Sequence, residues 1–328
     1  MNLTSIDYYA YRSKGRPEAI KKALRATFAG APGEVSVMAR KTGWRGYERS
    51  YSVLIEDMPV GLVAEGGEHQ RGWSYVGITG TGCNWIKDWD RAQEATSALD
   101  AYSVKRVDIA YDTFDLSKGF DATLNAYRAG GFNTGGRPPK CEPMKPERWE
   151  DSAIIRIGNR ERDKYYRGYE KGKEQLGPQI AAAAEREDFD ISEWASHNTA
   201  LIQGGEIVHE RTLDWFRHEI ELKPKSAPLP EDVIDRRDQY FVGAYPYMGT
   251  VLQGVDAQAF TVPRDVQPKI ALSISLESLR LQWGNTLYTA LAAYEGDVGA
   301  VWEKIIGKKH CQALLEAGVL LVSHDSVA

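Results

Sequence analysis

Cysteine is scarce in this chain: Cys83, Cys141 and Cys311 are the only three in 328 residues, odd in number and far apart. That excludes a disulfide framework and fits no zinc-ligand spacing, so reduced, structural thiols are expected. Long apolar runs are missing too. Nothing approaches the roughly 18 residues a membrane helix needs, and MNLTSIDYYAYRSKGRP lacks the basic-then-apolar order of a secretion signal. The expectation is a cytoplasmic protein without a membrane partner. Positive charge is not in excess: 41 Lys and Arg stand against 46 Asp and Glu, a formal net charge of -5, which speaks against indiscriminate binding of polyanions. None of the six histidines lies two positions from another, so a His-hydrophobic-His metal motif is excluded. HExxH, CxxC and GxSxG are equally absent. The turn Gly80-Thr81-Gly82 lacks the lysine of a phosphate loop and reads as a tight strand-to-helix turn.

What is present is enough apolar residue, 42%, for a substantial core, and a strand-rich pattern. A strand over Ile6 to Arg12 leads to a helix begun at Pro17. EVSVMARKT, YERSYSVLIED and PVGLVAEGG then alternate as an antiparallel meander. WSYVGITGTGC adds a strand, NWIKDWDRAQEATSALDAY has helical spacing, and a strand resumes at Val104. A helix from Asp121 to Ala129 precedes GGFNTGGRPPKCEPMKPER, which reads as a loop. SAIIRIGN and KYYRGYEKG predict a hairpin, IAAAAERED a short helix in an insertion, and WFRHEIELK another strand. PEDVIDRRDQYFVGAYPY predicts one helix closed by Pro246, and TVPRDVQPKI a connection. The tail from Ala271 has helical periodicity, with Leu276, Leu279, Trp283, Leu287, Leu291, Val301, Trp302 and Ile305 as its buried positions. The sequence carries no internal repeat. These patterns predict an α+β fold: a largely antiparallel central sheet with helices packed on one side, and C-terminal helices beyond it. The division expected is 1–250, comprising the meander to 103, three motif strands over 104–223 and a helix to 250, followed by a helical region 251–328.

The three motif strands are RVDIAYD, YYRGYEKGKE and WFRHEIELK. Side chains alternate between the two faces of a strand, so Val107, Ile109 and Tyr111 oppose Arg106, Asp108 and Asp112. Phe216, His218, Ile220 and Leu222 likewise oppose Arg217, Glu219, Glu221 and Lys223. His218 and Tyr166 belong to the core. Tyr165, Arg167, Tyr169 and Lys171 are expected to share one face. The surrounding cations Arg160, Arg162, Lys164, Arg167 and Lys173 make a local basic ribbon, a candidate DNA-binding surface with Tyr165 as a stacking platform, within an acidic whole.

That combination suits cleavage of a phosphodiester. Hard carboxylate oxygens match Mg²⁺ or Mn²⁺, with Asp108 and Glu219 as leading ligand candidates and Asp112 and Glu221 as secondary ones. A tyrosine nucleophile would conserve the phosphodiester energy in a phosphotyrosine. Its phenol, with an ordinary pKa near 10, needs activation. Tyr169 is the candidate, Lys171 its neighbouring cation, and Tyr165 the same-face alternative.

In order along the chain, VGITGTGC, KRVDIAYD, IIRIGNRERDKYYRGYEKGKEQLG, WFRHEIELKPKSAPLPEDVI and YFVGAYP resemble the replication initiation factors of filamentous phages, relatives of plasmid rolling-circle initiators and of some conjugative-element relaxases. The resemblance runs from about Trp73 to Tyr247. It implies a sequence-specific enzyme that nicks and closes DNA at a phage or plasmid origin, single-stranded or supercoiled, through a 5′-phosphotyrosine, leaving a 3′-hydroxyl. It further implies a host helicase and polymerase as partners, with a homodimer as one assembly. By position it puts the catalytic tyrosine on Tyr169 and the carboxylates on Asp108 and Glu219, with Arg217 and Lys171 at polar motif positions. A conjugative relaxase of the same chemistry and a non-catalytic DNA-binding replication or regulatory protein are the alternatives.

Overall fold

The computed structural model describes residues 2–135, 137–147, 151–184, 201–203, 206–209, 212–224, 229–258 and 272–309. The rest of IAAAAERED beyond Ala184, TVPRDVQPKI and Cys311 fall outside them. The chain forms two compact units, Met1–Val262 and Pro263–Ala328.

Strand β1 (Ser5–Ser13) is followed by helix α1 (Pro17–Thr27), with Pro at its first position, and by β2 (Val35–Ala39), β3 (Arg49–Ile55), β4 (Met58–Glu65) and β5 (Ser74–Ile78). Helices α2 (Gly80–Trp85) and α3 (Trp89–Ser97) come next, capped by the side chains of Thr79 and Asp88. Then follow β6 (Ser103–Thr113), α4 (Phe120–Arg128), β7 (Cys141–Met144), β8 (Ile154–Gly158), β9 (Lys164–Glu170) and α5 (Lys171–Ala184). A small hairpin of β10 (Leu201–Gln203) and β11 (Glu206–His209) precedes β12 (Phe216–Leu222). Helices α6 (Arg237–Ala244) and α7 (Met248–Val251) close the first unit, and α8 (Leu272–Ala293) and α9 (Val298–Ile305) make up the described part of the second.

Ten strands form one sheet in the order β2-β3-β4-β5-β1-β6-β12-β9-β8-β7, and every neighbouring pair is antiparallel. The path is travelled twice. A first strand, a helix and a four-strand meander returning to that first strand describe β1, α1 and β2 to β5. They equally describe β6, α4, β7, β8, β9 and β12. The halves join where β1 pairs with β6, so a duplicated topology exists without a repeated sequence.

One face of the sheet carries the core. Tyr9, Tyr11, Val107, Ile109, Tyr166 and Ile220 pack with Ile20 and Leu24 of α1, Ala92 of α3 and Phe241 of α6. Each fully buried Ile, Leu or Phe removed from water contributes about 1.5–3 kcal/mol, so the helices are held to this face by their apolar stripes. His218 lies here as expected, fully buried and hydrogen-bonded through Nδ1 to the Tyr166 hydroxyl at 2.8 Å. Burial pushes its pKa down to about 3. Below about pH 6.5 the unfolded chain therefore takes up a proton that the folded chain does not. The stabilising contribution is complete above that value and is lost as pH falls toward 3, at about 1.4 kcal/mol per unit. His218→Gln is expected to flatten this acid limb in urea midpoints measured from pH 6.5 to 4, and an unchanged slope would assign it to other groups.

The structure corrects several sequence expectations. Cys141–Met144, read as loop, is the edge strand β7, where Pro143 costs nothing because an edge need not donate on its outer side. The helix expected over 230–247 is a short turn of 3-10 helix at Glu231–Val233 and the separate α6. In the second unit Leu276, Leu279, Trp283, Trp302 and Ile305 are exposed while Val301 is buried, and Leu287 and Leu291 are half-buried. Helical periodicity identifies a stripe, but a stripe is buried only where another element meets it.

Candidate functional site

The strands bearing the three motifs, β6, β12 and β9, are consecutive in the sheet, with β12 in the middle. Register sets their side chains in rows. Asp112, Arg217 and Tyr169 form one row, Ala110, Glu219 and Arg167 the next, and Asp108, Glu221 and Tyr165 the third. Carboxylates and guanidinium groups thus alternate on the face opposite the helices.

This face is not open to solvent at the carboxylates: Asp108 and Glu219 are each 1% accessible and Glu221 2%. Arginines cover them. Arg106 grips Asp108 through Nε and Nη2 at 2.7 and 2.5 Å and reaches Glu221 at 2.9 Å. Arg167 donates to Glu219 Oε1 and stands 3.9 Å from Asp108 Oδ2. Arg217 holds both oxygens of Asp112 at 2.7 Å and Asp7 Oδ1 at 2.6 Å. Arg160 and Lys223 approach Glu221 from the rim at 3.3 and 2.9 Å. Ionised carboxylates survive burial only with such partners. Burial nevertheless raises the Asp108 pKa to about 8, with Arg106 opposing and Glu219 and Glu221 reinforcing the rise.

Asp7 joins this group without any signal in the alternation of β1. A bulge between Ile6 and Tyr8 breaks the pairing with β6, so Asp7 reaches Arg217 while Tyr8, its neighbour, stacks under Arg106 on the same face, 4.4 Å from guanidinium carbon to ring centroid.

Tyr169 is half-buried opposite Arg217. Burial and the charge of Glu219 push its phenol well above the ordinary range, while Arg217 opposes them. Lys171 is not on the strand: β9 ends at Glu170 and Lys171 opens α5. Its ammonium sits over the Tyr169 ring, 5.7 Å from the centroid, and pairs with Glu174 at 2.8 Å. The glycine of YEKG has a backbone reason. Gly172 donates to the Trp215 carbonyl at 3.1 Å, and a Cβ there would lie 1.8 Å from the Thr212 carbonyl oxygen. The glycine thereby lets α5 pass against the segment leading into β12.

The remaining expected positions disperse. Tyr165 is only 6% accessible, opposite Glu221 and Gly158. Lys164 donates to the Ala244 carbonyl at 2.5 Å and lies over the Tyr245 ring, and burial lowers its pKa to about 8. Lys173 pairs with Glu170 at 3.1 Å, and Arg162 is exposed in the β8–β9 turn.

For a divalent cation the donor chemistry is suitable. Glu219 Oε2 is buried and accepts no hydrogen bond among the described residues, and Asp108 lies close enough for Arg167 to touch both carboxylates. Among the described residues no three acidic, histidine or cysteine side chains converge into a closed cage. Any metal here would be held by two protein carboxylates and complete its shell from water or phosphate, the usual manner of Mg²⁺.

Residues 102–194 match the family model of replication initiation factors, so the resemblance noted in the sequence is found over the span containing Asp108 and Tyr169. No curated protein matches the chain. Among solved structures, the rolling-circle replication initiator protein of Geobacillus stearothermophilus is similar at 17% identity, over 81% of this chain and 90% of that one, with a TM-score of 0.48. No helix among the described residues is long and apolar enough to cross a membrane.

Proposed function

We propose that this protein is a rolling-circle replication initiator that nicks and rejoins an origin DNA strand through Tyr169. The observation that carries the reading is the row geometry: a tyrosine beside Arg217 and one row from Glu219, within the match to replication initiation factors.

In the proposed reaction the Tyr169 hydroxyl forms a bond to the scissile phosphorus and gives up its proton. The bond to the 3′ oxygen breaks, and that oxygen leaves as a hydroxyl after taking up a proton. Rejoining is the reverse. Asp108 and Glu219 would hold Mg²⁺ or Mn²⁺, which when bound neutralises phosphate charge and stabilises the leaving alkoxide. Arg217 supplies positive charge beside the nucleophile and offsets the Glu219 field that disfavours the phenolate. Lys171, over the ring, orients Tyr169. Arg167, already between Glu219 and Asp108, is placed to donate to a phosphate oxygen when its carboxylates are otherwise engaged. Origin DNA, a host helicase and a polymerase are the partners this role requires.

The test is incubation with supercoiled phage or plasmid DNA with and without Mg²⁺ or Mn²⁺, followed by mass spectrometry of the DNA-linked peptide. Open circles and a nucleotide mass on the peptide containing Tyr169 are expected with metal only. DNA binding without either product would leave a non-catalytic replication or regulatory protein.

A further inference from the structure

The polar face does not end at the carboxylates. It continues across β1 onto β5 and the β2–β3 loop, where the side chains change from acidic to aromatic and basic. Tyr8, paired in register with Asp108, hydrogen-bonds through its hydroxyl to that of Tyr75 at 3.0 Å. Tyr75 packs on Trp44 with ring centroids 4.6 Å apart and planes 31° from parallel. The guanidinium of Arg45 lies over the Trp44 ring at 5.0 Å, and Arg12 and Lys14 both lie over Trp73, at 5.3 and 5.5 Å.

Trp44 and Arg45 sit at a hairpin tip. Trp44 and Tyr47 exchange both backbone hydrogen bonds, at 3.1 and 2.8 Å. The two residues between them, Arg45 and Gly46, have φ of 44° and 84°, as in the tight turns that glycine and asparagine usually supply. A non-glycine residue at positive φ is strained backbone, and such strain concentrates where a side chain must be presented in one direction. Trp44, Trp73 and Tyr75 stay partly accessible and Arg45 and Lys14 are exposed, so the rings are not core. The neighbouring acids Glu48 and Glu68 are exposed as well, but neither makes a described pairing with Arg12, Lys14 or Arg45.

We infer that this aromatic and basic surface, from Tyr8 through Tyr75 to Trp44, is a binding track for single-stranded DNA that leads the strand to or from Tyr169. Unpaired bases have free faces to stack on exposed rings, which the bases of a duplex do not, and interleaved arginine and lysine answer the phosphates. Continuity with the candidate site supports the same occupant. From β5 to β9 is four strand spacings, about 19 Å at 4.8 Å each, which on the order of six nucleotides span at a stacked 3.4 Å. The inference rests on the reading of this chain as a DNA-strand-processing protein and adds a location for the flank of the cut site.

The experiment measures binding of the full chain to fluorescein-labelled (dT)20 and to a duplex of the same length, by polarisation across a salt series. Trp44→Ala is expected to weaken (dT)20 binding about 5- to 50-fold, the loss of one or more stacked bases, with duplex binding changed less than twofold. Trp44→Phe should restore most of the affinity. Arg45→Ala should lower the dependence of binding on salt by about one phosphate contact. No binding of (dT)20 by the wild type, equal loss for both DNAs, or unchanged (dT)20 affinity in Trp44→Ala would each overturn the track. The outcomes separate from those of the nicking reading. Weakened (dT)20 binding with no Tyr169 adduct keeps the track and removes the nickase, whereas adducts with unaltered Trp44→Ala binding do the reverse.

Discussion

Tyr169→Phe is expected to abolish the covalent DNA adduct while changing DNA affinity less than twofold. The substitution removes one oxygen and keeps the ring, so the packing beneath Lys171 and beside Arg217 stays in place. Tyr165→Phe is the comparison that gives this result its meaning. Tyr165 shares the strand face but is 6% accessible and lies at the far row, next to Glu221. Its phenol is pushed up mainly by burial, although Arg156, Arg160 and Arg167 oppose the shift. Its loss should leave adduct formation intact. Denaturing gels of labelled origin DNA read both variants, and adducts surviving in Tyr169→Phe would remove Tyr169 from the mechanism.

Arg106→Ala should be the most destabilising single change on the polar face, at about 3–5 kcal/mol. It would leave Asp108 and Glu221, at 1% and 2% accessibility, with a much reduced complement of positive charge. The urea midpoint should fall with little change in slope. The loss should also depend on pH in a defined direction. Asp108 has a folded pKa raised above its unfolded value, to about 8, so the folded chain holds a proton that the unfolded chain releases between about pH 4 and 8. Stability attached to this group therefore declines as pH rises through that window. Without Arg106 the folded pKa moves higher still, so the decline continues beyond about pH 8, and the variant should lose more at about pH 9 than at about pH 5. Arg106→Lys should recover only part of the loss, because a point charge cannot grip both oxygens of Asp108. An equal deficit at both pH values would contradict an electrostatic origin.

Much of this was legible in the chain because strand alternation is a local rule. The phase of RVDIAYD and WFRHEIELK separates Val107, Ile109, Ile220 and Leu222 from Asp108, Glu219 and Glu221, and the folded sheet keeps that separation. The alternation cannot report register. Asp108 faces Glu221 rather than Glu219 across the strand pair, a fact set by where β12 enters the sheet. Nor can it report bulges, which is why Asp7 was invisible. The strand ending at Glu170 defeated it differently. Tyr165, Arg167, Tyr169 and Lys171 keep the period of two, but Gly172 admits the Thr212 backbone and the chain turns helical before Lys171 can continue the face. The aromatic track was hidden because its members come from separate segments, around residues 8, 44 and 75, each unremarkable alone.

The order in which the sheet is threaded has one more consequence. Among the described strands the last to leave the ribosome, β12, is inserted between two strands made long before it, β6 and β9. Until residue 222 has emerged, a nascent chain can carry Asp108 and Tyr169 but has no Glu219 between them and no Arg217 beside the tyrosine. Pairings across such sequence separations form slowly. On the proposed reaction, synthesis would itself act as a safety catch: a stalled or truncated product that ends before β12 would lack the row that sets Arg217 beside Tyr169, and competence to cut would await the closing of the sheet.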